Sequence, residues 1–182
     1  NNLLTNGGFD SGTSSWTAVT STLSNEGSGQ TGNMLRVTSD SGSVGSAYQD
    51  ITTVVGKLYY LTYYIDIGTS STAAVWVGTT GDSDSILGSA DTDTTTATSL
   101  TNATHVFEAT ATTTRIELVS RDSSGTDYSE FDTVAVYEVT PTCLAVTSPA
   151  TSAMDGWSKD GAAAHGDVVR QHKDSTFTKA GS

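Results

Sequence analysis

Short runs in which apolar and polar residues alternate constrain the possible folds of this chain more than any other feature does. In the run 57–67, KLYYLTYYIDI, every second residue from Tyr59 onward is apolar or aromatic: Tyr59, Leu61, Tyr63, Ile65 and Ile67. Successive side chains of a β-strand point to opposite faces, so this set predicts a strand with one buried face. Six further strand-like runs are separated by turns rich in Gly, Ser, Thr and Asp, at 33–38, 47–53, 72–79, 105–110, 114–120 and 131–139. The pattern predicts an all-β sandwich.

The charge balance restricts the class of partner. The 182 residues include eight Lys and Arg against twenty Asp and Glu, which gives a formal net charge of −12. Such a chain offers no surface for neutralising phosphates or anionic lipids, so we expect neither a nucleic-acid partner nor membrane insertion. Acidic loops suit Ca²⁺, which prefers oxygen ligands.

Other whole-chain features are consistent with one module of a larger protein. Cys143 is the single cysteine, so no intramolecular disulfide or Cys/His metal cluster is expected. No window holds eighteen apolar residues, and the chain begins with Asn1 rather than Met. We interpret it as an excised or processed part of a longer chain.

A faint internal repeat predicts the domain boundary. Leu3 and Trp16 are spaced like Leu144 and Trp157, and both tryptophans end a loop of small residues. We therefore predict a β-sandwich module at 1–141, followed at 142–182 by the start of a divergent second module or a docking tail. Trp16 is expected to seal the edge of the first core.

The connection GTSST between 57–67 and 72–79 predicts a hairpin. A hairpin centred near Ser70 sets Tyr64 opposite Trp76 and directs Ile65, Val75 and Val77 inward. It would place Tyr60, Tyr64 and Trp76 together in an exposed aromatic stripe.

An exposed aromatic stripe is a candidate ligand-binding surface, and a carbohydrate is one ligand that it could hold. A tryptophan ring can stack on the apolar face of a pyranose, and a few polar groups then fix its hydroxyls. The candidate binding residues are Trp76, Tyr64, Tyr60, Gln49, Arg36 and Arg121, with Tyr48 and Tyr128 as weaker candidates. The alternative for Trp76 is packing beneath the loop 80–103 or against another subunit.

Three segments, in the same order along the chain, resemble carbohydrate-binding modules of the galactose-binding-like jelly-roll type. They are NLLTNGGFDSGTSSWT at the start, GKLYYLTYYIDIGTSSTAAVWVG in the middle and FDTVAVYEV at the end. The resemblance covers about residues 2–139 and implies a jelly-roll β-sandwich with a C-terminal extension. DGWSKDGAAAHGDVVRQH is similar to module openings in phage tail and other virion surface proteins, where such modules occur in tandem.

The same resemblance implies a structural Ca²⁺ that links the first segment to the last strand. The positions matching the family's ligands are Asp10, which follows Phe9, and Asp132, which follows Phe131. The family has Glu where this chain has Asp10, so the reach of the side chain differs. The alternative is turn or capping hydrogen bonding by both carboxylates.

The sequence contains no catalytic signature. His105, His165 and His172 show no metal spacing, and the acidic residues lie mainly in predicted loops. We therefore predict a non-catalytic module that binds a polysaccharide or cell-surface glycan, within a larger extracellular or virion surface protein. The alternative is an architectural subunit, a virion tail or capsid decoration or a filament, that assembles through the sandwich and 142–182 as a homo-oligomer or with neighbouring subunits.

Overall fold

A computed structural model of the protein describes residues 1–140. They form ten strands and one short helix: β1 Thr17–Val19, β2 Ser21–Gly27, β3 Asn33–Ser39, β4 Gly45–Thr52, β5 Leu58–Asp66, β6 Ala73–Thr79, β7 Asp82–Leu87, α1 Ser89–Thr92, β8 Thr101–Glu108, β9 Thr113–Ser120 and β10 Tyr128–Glu138. All seven strands expected from the alternation are present within a few residues of their predicted ends. The residues of 142–182, and with them the predicted second module or tail, lie outside the described part, so the domain boundary stays a prediction.

The strands form two five-stranded antiparallel sheets. Sheet A has the order β1-β4-β9-β6-β7, and sheet B has the order β2-β3-β10-β5-β8. The architecture is the predicted jelly-roll β-sandwich. Within residues 1–140 no helix is long and apolar enough to cross a membrane.

The core lies between the sheets and consists of the side chains that point inward from alternate positions of each strand. Sheet B contributes Leu61, Tyr63 and Phe131, while Val75 and Leu118 come from sheet A, and each of these side chains is nearly inaccessible to solvent. Burial of such side chains, at roughly 25 cal/mol per Å² of apolar surface, is the main force that holds the two sheets together. Trp16 is also buried, with its ring centroid 5.7 Å from that of Phe9, which confirms its expected place at the core edge.

The predicted hairpin between β5 and β6 is wrong. β5 pairs with β10 and β8 in sheet B, whereas β6 pairs with β9 and β7 in sheet A. The connection crosses between the sheets because it is held elsewhere: the backbone N–H groups of Thr69 and Ser70 both donate to the carbonyl of Tyr128. The inward direction of Ile65 and Val75 is correct, but they face the core from opposite sheets.

The N-terminal segment lies beside the second half of β10. Leu3 N–H donates to the Val136 carbonyl at 2.9 Å, and Val134 N–H donates to the Gly7 carbonyl at 2.8 Å. β3 pairs only with the first half of β10, so this segment supplies backbone partners where β3 ends. Gly7 is required there because a Cβ at this position would clash with the Val134 carbonyl oxygen.

We expect Gly7→Ala to destabilise the module by about 1–3 kcal/mol, since the backbone of Val134 must move to admit the methyl group. The matched control is Gly27→Ala, where an added Cβ meets no atom within 4 Å. Thermal unfolding of both variants checks this expectation. Equal midpoints for the two variants would contradict the close approach.

Candidate functional site

The side chains of Tyr48, Glu117 and Trp76 lie in one row on the outer face of sheet A. Sequence reasoning selected the two aromatic residues and overlooked Glu117. The register places Tyr48 of β4 beside Glu117 of β9, and Glu117 beside Trp76 of β6. Adjacent strands lie about 4.8 Å apart, so the row extends over roughly 10 Å. It combines two aromatic rings with a central carboxylate.

Glu117 is a mostly buried carboxylate in this row. Its exposed fraction is 8%, and the Ser46 hydroxyl donates to its Oε1 at 2.5 Å. A buried carboxylate is costly unless hydrogen bonds compensate for its lost hydration. The neighbouring Trp76 is partly exposed, and its buried indole Nε1 has no hydrogen-bond partner within residues 1–140.

Each aromatic residue of the row is accompanied by an arginine that a carboxylate holds in place. The Arg115 guanidinium lies 3.6 Å from the Tyr48 ring centroid and donates to both oxygens of Asp50, at 2.8 and 2.9 Å. This bidentate pairing raises the pKa of Arg115 above its ordinary value. The two oxygens of Asp50 therefore fix the guanidinium against the ring.

Arg121 has the corresponding position beside Trp76. Its guanidinium lies 5.7 Å from the Trp76 ring centroid and forms an ion pair with Asp93. Of the residues predicted to bind carbohydrate, Trp76 and Arg121 are thus brought together.

Tyr60, Tyr64 and Arg36 lie on the other sheet. Tyr60 and Tyr64 are on the outer face of β5 in sheet B, so the stripe expected to join them to Trp76 does not form. Arg36 of β3 donates to Glu130 through Nε at 2.9 Å and Nη2 at 2.6 Å, and its guanidinium lies 3.8 Å from the Tyr128 ring centroid.

Gln49 occupies neither aromatic surface. Its side-chain amide accepts from Thr5 N–H at 2.7 Å and donates to the carbonyls of Thr5 at 2.9 Å and Ser15 at 3.1 Å. These bonds tie the N-terminal loop to β4. The contact between Gln49 and sugar stays a prediction.

Asp10 and Asp132 are held against the same turn, 29–32. The Asp132 carboxylate is buried and accepts from Thr31 N–H at 3.1 Å and Thr133 N–H at 2.5 Å. The Asp10 carboxylate, on an exposed residue, lies beside Gly32 of that turn, where an added Cβ would clash with Asp10 Oδ1. Burial raises the pKa of the Asp132 carboxyl above its ordinary value, although its backbone hydrogen bonds act in the opposite direction.

The backbone is strained beside each of these carboxylates. Phe9 has φ 55° and Thr133 has φ 50°, and a positive φ is rare for such residues. Thr133 belongs to the irregularity in β10 between Asp132 and Ala135. The fold maintains this strain and thereby presents both carboxylates at one turn.

The oxygen-only donor set at this turn fits Ca²⁺. Asp132 has no cationic partner among the ion pairs of residues 1–140, so its buried charge lacks a counter-ion from the protein. In the same part of the chain no group of three or more His, Cys, Asp or Glu side chains could hold a metal. Backbone carbonyls or water would complete the coordination of a calcium ion held by Asp10 and Asp132.

All four cationic side chains of residues 1–140 are engaged in ion pairs. Arg36 pairs with Glu130, and the other three pairs are Lys57–Glu138, Arg115–Asp50 and Arg121–Asp93. The described part of the chain therefore presents no unpaired Lys or Arg side chain to an anionic ligand.

Sequence reasoning missed Glu117, Arg115 and Asp50, and it ranked Tyr48 below Trp76. The signal was present: in 114–120 Arg115 and Glu117 share the parity opposite to Ile116 and Leu118, so they point out of the core. What the sequence did not reveal is that β9 lies between β4 and β6.

The fold places the protein in a defined structural class. It has the jelly-roll sandwich of carbohydrate-binding modules, and such modules predominate among the similar solved structures. No protein-family model matches the sequence. No curated protein sequence matches it significantly.

Two of these modules are covered by the chain almost entirely. One is a family 16 carbohydrate-binding module, 17% identical with a TM-score of 0.57, for which the match covers 75% of this chain and 100% of the module. The other is the xylan-binding CBM22-1 domain from Paenibacillus barcinonensis, 15% identical with a TM-score of 0.56, covering 77% of this chain and 96% of that domain. At these identities the likeness shows the shared fold.

Two larger proteins contain the fold as one part. The enzymatically active domain of tailspike protein 4 from bacteriophage CBA120 is 13% identical with a TM-score of 0.53, and the match covers 76% of this chain. The chain spans 21% of that tailspike chain and 26% of an α-L-arabinofuranosidase chain.

Proposed function

We propose that the protein is a non-catalytic module that binds a neutral polysaccharide on the outer face of sheet A. The observation that carries the proposal is the row Tyr48–Glu117–Trp76, with Arg115 and Arg121 held beside its rings. The carbohydrate-binding modules among the structural neighbours support it.

Each part of the row has a defined role in this proposal. The partly exposed Trp76 ring stacks on the apolar face of a sugar, while Glu117 accepts hydrogen bonds from sugar hydroxyls. Arg115 and Arg121 supply donors whose directions are fixed by Asp50 and Asp93. Because both guanidinium charges are already compensated, the ligand is a neutral sugar and not a uronate or a sulfated glycan.

We further propose that one Ca²⁺, bound by Asp10 and Asp132, joins the N-terminal segment to β10. The buried Asp132 without a cationic partner supports this role. The ion would close the module at the place where its N-terminal segment could otherwise fray.

The parent protein is proposed to act outside the cell or on a virion surface, where single modules of modest affinity gain avidity from repeated copies. The tailspike domain among the neighbours is the observation in favour of this setting. The neighbours do not favour the alternative of an architectural subunit.

Affinity electrophoresis in gels that contain soluble polysaccharides tests the function. We expect retardation by at least one neutral polysaccharide and no retardation by polygalacturonate or a sulfated glycan. Glu117→Gln keeps the size of the side chain but weakens its acceptor, so it should reduce the association constant by about tenfold, which equals about 1.4 kcal/mol.

The matched control is Asp82→Asn, which makes the same change of charge on the exposed start of β7. It should bind like the unmodified chain. Stronger retardation by acidic than by neutral polysaccharides would contradict the proposed ligand class.

A further inference from the structure

The outer face of sheet B carries an aromatic surface that the proposed site on sheet A does not use. Tyr60 of β5 lies directly between Tyr137 of β10 and Val106 of β8, and their exposed fractions are 37%, 40% and 55%. Side chains directly opposite each other on neighbouring strands lie within contact distance. They therefore form one continuous exposed row, which we call the tyrosine platform.

The surface next to the tyrosine platform is low and flat. The adjacent row consists of Ala135, Thr62 and Thr104, which pair across the same three strands. Beyond it lies Tyr64, half-buried and paired with Asp132 on one side and Asn102 on the other. Tyr60 and Tyr64 are four residues apart on one strand, which is about 13 Å.

A groove of about 430 Å³ lies at the far end of this surface. Its lining includes Asp66 of β5 and Glu130 of β10, together with Gln30 and Leu100 from the flanking loops. Tyr60 and Asp66 are six residues apart on β5, so the platform and the groove span roughly 20 Å along one strand.

The groove offers acceptors for hydroxyl donors and no free cation. Arg36 donates to Oε1 of Glu130 only, and Gly68 N–H donates to Oδ1 of Asp66. Each carboxylate thus has a second oxygen with no donor among the described residues. Arg36, which lies beside the groove, has its charge compensated by Glu130 and by Glu26 at 3.8 Å.

The tyrosine platform and the carboxylates of the groove together indicate which class of ligand would bind this face. A flat aromatic platform suits the apolar face of sugar rings, and carboxylate acceptors suit their hydroxyls. Anionic ligands are repelled by Asp66, which has no cationic partner among the ion pairs of residues 1–140, on a module that is strongly acidic. We propose that the outer face of sheet B is a second, independent binding surface for a neutral polysaccharide chain, which runs along β5 from Tyr60 to the groove.

The two surfaces lie on opposite outer faces of one sandwich, so a single module would hold two polysaccharide chains at once. This arrangement would let the protein cross-link polysaccharide without forming an oligomer. The second surface does not depend on the sheet A site, and each can be removed separately.

The experiment uses the full chain in gels that contain galactomannan, arabinoxylan or mixed-linkage β-glucan. The variants are Trp76→Ala, the double variant Tyr60→Ala/Tyr137→Ala, and the combination of all three substitutions. We expect at least one polysaccharide still to retard Trp76→Ala, and we expect the triple variant to bind that polysaccharide at least about tenfold more weakly than Trp76→Ala does. The triple variant should migrate as it does in a gel without polysaccharide.

Thr104→Arg provides a second variant that removes no aromatic ring. It places a long cationic side chain on the exposed outer face between the platform and Tyr64, and should weaken binding on sheet B by a similar factor. Val55→Ala, an exposed apolar residue of the loop between β4 and β5, is the control and should leave every mobility unchanged.

The outcomes separate the two proposed surfaces. Loss of all retardation in Trp76→Ala, or a triple variant that is retarded as strongly as Trp76→Ala in every gel, overturns the second surface and leaves the first intact. Unchanged binding in Trp76→Ala with loss in the double variant supports the second surface and refutes the first. If the native chain is not retarded in any gel, both proposed surfaces are overturned. If the double variant has a changed sedimentation coefficient but unchanged retardation, the tyrosine platform serves protein association instead of sugar binding.

Discussion

Replacing Trp76 by alanine is expected to weaken polysaccharide binding on sheet A by on the order of 100-fold. Burial of an aromatic side chain of this size against a ligand contributes about 2–3 kcal/mol, and each 1.4 kcal/mol is a factor of ten in affinity. The loss should be visible by isothermal titration with an oligosaccharide of the polysaccharide that binds. It follows from the position of Trp76 at the end of the row with Glu117 and Tyr48.

Trp76→Phe provides the graded comparison for this substitution. It keeps a flat ring over the sheet but removes the larger indole, so its affinity should lie between those of the native chain and Trp76→Ala. Val55→Ala, in the exposed loop between β4 and β5, should have native affinity. Native affinity in a folded Trp76→Ala variant would show that the sugar does not stack on this ring.

The second large effect is expected from removal of calcium. If Asp10 and Asp132 bind Ca²⁺, a concentration of one hundred times Kd stabilises the fold by about 2.7 kcal/mol. For a domain of this size, chelation should therefore lower the unfolding midpoint by roughly 5–10 °C. Differential scanning calorimetry with Ca²⁺ and with chelator measures the difference directly.

Asp132→Asn should abolish the difference between the two calorimetric scans, because an amide is a poor substitute for the carboxylate as a calcium ligand. The readout is the change caused by calcium within each variant, so a general loss of stability in Asp132→Asn does not confuse it. Asp82→Asn is the control for the change of charge and should keep the full calcium effect. A native chain with the same midpoint in calcium and in chelator would refute the site.

Most strands could be predicted from the sequence because the alternation of buried and exposed residues is contained within each strand's own segment. In β5 the alternation of Tyr59, Leu61 and Tyr63 with exposed or half-buried residues is visible in the sequence and is retained in the structure. β2 and β7 were not predicted because STLSNEG and DSDSIL contain too few apolar residues to mark a buried face. Both strands lie at sheet edges, which explains why they need so few apolar residues.

The order of the strands is not local information, and the candidate site depends on it. The six-residue connection 67–72 is short enough for a hairpin loop, yet its backbone bonds to Tyr128 direct β6 into the other sheet. That single difference separates Tyr64 from Trp76 and places Glu117 beside Trp76 instead. The outward direction of each side chain could be predicted, whereas its neighbours on other strands could not.

The candidate calcium residues were predicted through the resemblance of both chain ends to a known family. The structure places Asp10 and Asp132 at one turn and adds two features that no pattern in the sequence indicates. These are the positive φ angles at Phe9 and Thr133 and the irregularity in β10 that accommodates Gly7.

A glycan array probed with the full chain and with the double variant Trp76→Ala/Tyr48→Ala tests the central claim most directly. The claim predicts that the native chain binds a set of neutral glycans, that anionic glycans are not bound, and that the double variant loses the strongest of these signals while remaining folded. An array on which the native chain binds only anionic glycans, or on which the double variant keeps every native signal, would contradict the assignment of sugar binding to the outer face of sheet A.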